Sequence, residues 1–100
     1  MVNSLSVVIP VYRNEESLPA LLAALADVAR QAKQEFSTPM DVVFVVDGSP
    51  DDSYRVLAQA LPLAPFASQL LLHSRNFGSF AAIRTGLQAA TGTYFGVISA

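Results

Sequence analysis

The sequence predicts an α/β domain on a doubly wound, mostly parallel, Rossmann-like sheet in the order βαβαβαβ. Three observations carry that expectation. Short apolar runs such as LSVVIPV and VVFVV read as strands buried on both faces. Between them lie stretches whose apolar residues recur at helical spacing. Proline, glycine and serine mark the junctions. Strands alternating with helices lead to parallel pairing through right-handed crossovers.

Leu5 to Val11 reads as the first strand, and Pro10, which has no backbone donor, places the end of its ladder nearby. Tyr12 to Glu16 is a polar loop. Ser17 is expected to cap a helix with Pro19 in its first turn, and Leu18, Leu21, Leu22, Leu25, Val28, Ala29 and Ala32 give it an apolar stripe. The helix fades by Glu35, and Ser37 to Pro39 breaks it. Val42 to Asp47 is the central strand. Gly48 and Ser49 turn the chain, with Ser49 as N-cap, Pro50 at N1 and Asp52 at N3 of a helix reaching Leu61. Tyr54, Leu57, Ala58 and Leu61 are its expected inner face. Gln69 to His73 is a shorter strand, and Ser74 to Gly78 a turn. Gly78 or Ser79 opens a third helix with Phe80, Ile83, Leu87 and Ala90 on one face and Gly92 as its C′ residue. Thr93 to Ala100 opens a fourth strand, whose position at the end of the chain suggests truncation.

Composition narrows the function classes. Hydrophobic residues make up 52% and charged residues 14%, which suits a sheet covered on both faces and excludes a disordered chain. A net charge of −2, with its few basic residues scattered, leaves no footprint for nucleic acid. Without cysteine there is no disulfide framework and no thiolate metal site. The amino end lacks the basic region of a signal peptide, and no apolar run approaches the ~20 residues of a membrane span, so a soluble chain is expected.

Open α/β sheets bind ligands beyond the carboxyl ends of their strands. The loops there bring together Tyr12, Asn14, Asp47, Ser49, Arg75 and Asn76, and a ring, a carboxylate, amides and a guanidinium suit a nucleoside and its phosphates. The first βα turn lacks G-x-G-x-x-G, and no P-loop motif occurs. No acid pair ends the first strand, so a receiver-type phosphoacceptor is disfavoured. Asp51 and Asp52 read as capping and dipole residues rather than metal ligands. His73 reads as structural, and Arg84 as part of a solvated face.

Taken in order, VVIPVYRNEESLPALL, VVFVVDGSPDDS and SRNFGSFAAIRTGLQAATGTYFGVISA resemble the family 2 glycosyltransferases of the GT-A fold, in particular the polyprenyl-phosphate glycosyltransferases. The resemblance implies an inverting transfer of a sugar from a nucleoside-diphosphate sugar (UDP-linked before GDP-linked) to an acceptor such as a polyprenyl phosphate. Pro10 and Tyr12 match the family's P-x-Y, which packs on the base. Asp47 matches the second acid of D-D-G-S, which bonds the base, and Gly48 and Ser49 match its turn. Arg75, Asn76 and Gly78 match R-N-x-G beside the nucleotide. Val46 stands where many members carry the first Asp. Asn14 stands where many carry Glu, so it is expected to offer an amide instead. The family's Asp-x-Asp motif, which binds Mg or Mn, would follow Ala100, as would the catalytic base and any membrane helices. The resemblance therefore implies a nucleotide-binding half, inactive alone, of a protein at the cytoplasmic face of the membrane, with an exposed sheet edge that invites self-association. Two rivals stand beside it. A nucleotidyltransferase-like sugar-activating domain would want a Gly-rich first loop, and Pro10 to Glu16 has none. The other is a non-catalytic binding module.

Overall fold

The computed structural model describes residues 3–100 as one parallel sheet with helices on both faces. The elements are β1 (Leu5–Val11), α1 (Leu18–Phe36), β2 (Met40–Asp47), α2 (Ser53–Ala60), a single 3-10 turn (Leu61–Leu63), β3 (Ala67–His73), α3 (Ser79–Ala89) and β4 (Tyr94–Val97). The four strands lie in the order β3-β2-β1-β4, and every pairing is parallel. The βαβαβαβ expectation therefore holds.

The apolar runs explain which strands are central. Val42 to Val46 of β2, with Val7, Val8, Ile9 and Val11 of β1, are all buried. Alternation sends their side chains to opposite faces. Val7, Ile9, Val11, Val42, Phe44 and Val46 pack with Leu18, Leu25 and Leu57 beneath α1 and α2, while Val8, Val43 and Val45 meet Ala82 beneath α3. Pro10 is tolerated inside β1 for a geometric reason. The Val8 carbonyl accepts Ile98 N–H at 3.1 Å, so the backbone two residues on also faces the β4 side, where pairing has already ended at Val97. The donor that proline lacks is not needed there.

Helix faces and caps depart from the sequence reading in instructive ways. Ser17 is the N-cap of α1, but its hydroxyl donates to the Asn14 carbonyl at 3.1 Å instead of receiving a helix N–H. Val28 faces solvent rather than the core. α2 starts at Ser53, not Pro50, because the Ser49 hydroxyl is held by Asp51 and by Arg13 N–H and Asp52 takes the N-cap position. The buried face of α2 is Ser53 and Leu57, while Tyr54 and Ala58 point outward. On α3 the expected inner face splits: Ile83 and Ala90 are half-buried, Ala90 against the core beneath α3, but Phe80 and Leu87 face outward. Phe80 is 88% and Leu87 39% exposed, while Ala82 and Gly86 are buried. A Cβ on Gly86 would lie 2.3 Å from Val8 Cγ1, so α3 seats on the sheet through its smallest residues. Close seating outweighs the area that Phe80 and Leu87 would bury. Gly92 is not a C′ residue: α3 ends at Ala89, and Gly92 N–H instead donates to Ser6 Oγ at 2.8 Å.

Both outer strands differ from the central pair. β3 is half-buried, and β4 leaves Tyr94, Phe95 and Val97 exposed along a free edge.

Candidate functional site

Register decides what meets at the carboxyl ends of the strands. Val11 pairs with Val46, and Asp47 pairs with His73, so Tyr12, Asp47 and His73 begin their loops at nearly one level.

Asp47 is the centre of the arrangement. It is 3% exposed, and both carboxylate oxygens are engaged. Oδ1 accepts Phe77 N–H at 3.0 Å and meets His73 Nδ1 at 2.8 Å, while Oδ2 accepts Gly78 N–H at 2.9 Å. Burial pushes its pKa up, but the Phe77 amide, the His73 contact and the Gly78 amide outweigh that and hold the carboxyl below its ordinary value. Asp47 is thus an ionised, acceptor-only group at neutral pH. The opposite nitrogen of His73, Nε2, meets Thr85 Oγ1 on α3 at 2.9 Å.

The loop bearing Asn76 crosses close over the β2 tip. Gly48 has φ +64°, and a Cβ there would fall 2.2 Å from Arg75 C and 2.3 Å from Asn76 N. Only glycine permits both that dihedral and that approach. Asn76 Nδ2 reaches the Asp47 carbonyl at 3.4 Å. The Arg75 guanidinium lies 4.6 Å from the Phe77 ring centroid, which in turn meets His73 edge-on.

The first loop is braced by the second. Asn14 Oδ1 accepts Tyr12 N–H at 2.8 Å, and its Nδ2 donates to the Ala100 carbonyl at 3.2 Å. Arg13 holds a left-handed φ of 56°, with its N–H on Ser49 Oγ at 2.8 Å and its guanidinium 5.3 Å from the Tyr12 ring centroid. Asp51 accepts from the Ser49 hydroxyl, Ser53 N–H and Glu15 N–H, while Glu15 Oε1 accepts Asp52 N–H. Burial opposes ionisation of Asp51, yet these donors, Ser49 first, lower its pKa to about 2. The capping role expected of Asp51 therefore extends to a tie between two loops.

A cleft of about 390 Å³ opens between the loops, lined by Pro10, Tyr12, Asn14, Asp47, Asn76 and Gly78, with Ser99 and Ala100 closing one side. The structure thus brings Pro10, Tyr12, Asn14, Asp47 and Asn76 onto one cavity. Gly48, Ser49 and Arg75 are not on its lining: Gly48 admits the third loop, Ser49 ties the first to the second, and Arg75 stacks on Phe77. A larger hollow of about 560 Å³ lies at the opposite end, where β2 and β3 begin, and Lys33 is the charged residue on its otherwise mostly apolar wall. Convergent polar groups favour the smaller cleft as the ligand site. Sequence reasoning missed His73 as the partner of Asp47 and Thr85 as the partner of His73. An acid and a histidine ending neighbouring strands were a usable signal for the first, whereas nothing in the sequence pointed to Thr85. Among the described residues, no group of three His, Asp or Glu is placed to hold a metal ion.

Comparison with known proteins bears on this geometry. Residues 6–100 match the family described as Glycosyl transferase family 2. The chain is similar to the undecaprenyl-phosphate 4-deoxy-4-formamido-L-arabinose transferase of Proteus mirabilis, 37% identical over 91% of this chain and 27% of that protein. The protein of the same name from Pseudomonas fluorescens is 39% identical over 87% of this chain and 24% of its own length. The chain therefore spans about a quarter of the length of these relatives. Among solved structures, S. aureus TarS 1-349 superposes with a TM-score of 0.72 at 21% identity, over 96% of this chain and 27% of that one. The mannosyltransferase PcManGT from Pyrobaculum calidifontis, in complex with GDP-Man and Mn2+, gives 0.66 at 22% identity, over 92% of this chain and 26% of that one.

Proposed function

The chain belongs to glycosyl transferase family 2 and has the GT-A fold. On that footing we propose that it is the nucleotide-binding part of a glycosyltransferase that moves a sugar from a nucleoside-diphosphate sugar to a polyprenyl phosphate. The observation that carries the donor half is the buried, ionised Asp47 on a cleft shared with Tyr12 and Asn76. The names of the relatives support the acceptor half.

The residues divide the binding work. Tyr12 offers an aromatic face to a base, and Asn76 a donor and an acceptor. Oδ2 of Asp47 makes one bond within the chain and keeps capacity for a second donor. Because the carboxylate only accepts, it suits bases that present a ring N–H, uracil and guanine, over cytosine and adenine, which present a lone pair there. UDP is the first donor nucleotide to test and GDP the second. A divalent metal, Mg or Mn, would stabilise the leaving diphosphate in the whole enzyme. Among the described residues no group of three His, Asp or Glu fits such an ion. The whole protein would work at the cytoplasmic face of the membrane, where a lipid-linked acceptor is held. No helix among the described residues is long and apolar enough to cross the bilayer itself.

Calorimetric titration with UDP, GDP, CDP and ADP, each with and without Mn2+, tests the reading. Metal-independent binding of UDP or GDP is expected, with CDP and ADP weaker by about tenfold for the mismatched edge. Absence of binding by all four would return the chain to a non-catalytic binding module.

A further inference from the structure

The half-buried imidazole of His73 links three elements beside the cleft without lining it. His73 has a side chain 14% exposed and ends β3 directly opposite Asp47. Its Nδ1 lies 2.8 Å from Asp47 Oδ1 and its Nε2 2.9 Å from Thr85 Oγ1. An ionised carboxylate only accepts, so Nδ1 carries the proton in that contact. The Thr85 hydroxyl can donate or accept, so it is able to pair with Nε2 and hold the ring in place.

The consequence reaches the cleft wall. Asp47 is what holds the amides of Phe77 and Gly78, at 3.0 and 2.9 Å, and these directly follow Asn76 in the same loop. The His73 ring also meets Phe77 edge-on, with centroids 5.4 Å apart. A carboxylate free to rotate about its side-chain bonds would release that loop, and Gly48, lacking a side chain, supplies nothing else to hold it. Orientation fixed by a partner that never touches the ligand is how precise sites are built.

We propose that His73, steadied by Thr85, is a positioning residue of the cleft: it fixes the rotamer of Asp47 and thereby places both the carboxylate and the Asn76 loop for a nucleobase. The proposal rests on the nucleotide-binding reading, and its test separates the two. Asparagine can place an amide N–H where Nδ1 stood, whereas leucine cannot. Backbone amide exchange and UDP titration are measured on the full chain and on His73→Asn, His73→Leu and Thr85→Val. In His73→Leu the Phe77 and Gly78 amides are expected to exchange about tenfold faster, and UDP to bind about tenfold more weakly, for one lost charge-assisted bond. The Val43 and Val45 amides at the sheet centre should not change. His73→Asn should restore both readouts. Thr85→Val should move them in the same direction by less, and it serves as the informative variant if His73→Leu does not fold.

Unchanged exchange at Phe77 and Gly78 in the variants overturns the proposal. So does His73→Asn behaving like His73→Leu, or general loosening with UDP affinity kept, which would mark a purely structural tie. If the unaltered chain binds no nucleotide while Phe77 and Gly78 still respond to His73, the positioning of Asp47 stands and the nucleotide reading falls.

Discussion

Gly48→Ala is the substitution expected to damage the cleft most for the fewest atoms added. The new methyl would sit 2.2 Å from Arg75 C and 2.3 Å from Asn76 N, both backbone atoms that cannot rotate away. Ordinary van der Waals contact begins near 3.5 Å, so the third loop must retreat by about 1 Å. That retreat breaks the Phe77 and Gly78 bonds to Asp47, and bonds to a charged group contribute about 1.5–3 kcal/mol each net of exchange with water. The φ of +64° adds about 1 kcal/mol for any residue with a Cβ. The expected loss is at least about 4 kcal/mol, a large part of a small domain's stability, with the melting temperature down by more than about 15 °C. Urea and thermal unfolding measure it, and UDP titration reads the cleft. Gly48→Asn separates the two causes, because asparagine tolerates the left-handed region but still carries the clashing carbon. If Asn recovers most of the loss, or Ala costs less than about 1 kcal/mol, the close-approach account is wrong. Gly96, with nothing within 4 Å of an added Cβ, is the control site.

Other outcomes follow from the same geometry. Gly86→Ala should cost about 1–3 kcal/mol in urea unfolding by forcing α3 off Val8, because its neighbour there is a packed branched side chain. Asp51 has a folded pKa of about 2 against an ordinary 3.8, so its stabilisation is present above pH 4 and is lost as pH falls toward 2. That loss amounts to about 2 kcal/mol, and Asp51→Asn should flatten the stability profile between pH 5 and 2. The free β4 edge, with Tyr94, Phe95 and Val97 exposed and no charge on the strand, should drive concentration-dependent association visible by light scattering. Val97→Lys should suppress it, and a monomer at all concentrations in the unaltered chain would refute it.

The fold was legible because its central strands are unambiguous. VVFVV and LSVVIPV can be little else than buried parallel strands, and both lie at the sheet centre. Helix faces were less legible, for a specific reason. Periodicity finds the most apolar stripe, but α3 is seated by Ala82 and Gly86, which allow close contact, while Phe80 and Leu87 are turned away. Cap positions failed where side chains had better partners: Ser49 serves Arg13 and Asp51 rather than a helix N–H, so α2 begins later. At the cleft, residues adjoining the strand tips, such as Tyr12 and Asp47, could be read from position alone. Arg75 could not, since its stacking on Phe77 depends on a loop path that only Gly48 makes available.

The bond from Asn14 to the Ala100 carbonyl ties Ala100 to the mouth of the cleft between the loops, which Ser99 and Ala100 help to wall. A residue following Ala100 in a longer chain would therefore begin its path at the rim of that cleft. A bulky label on Ser99 or Ala100 would narrow that opening.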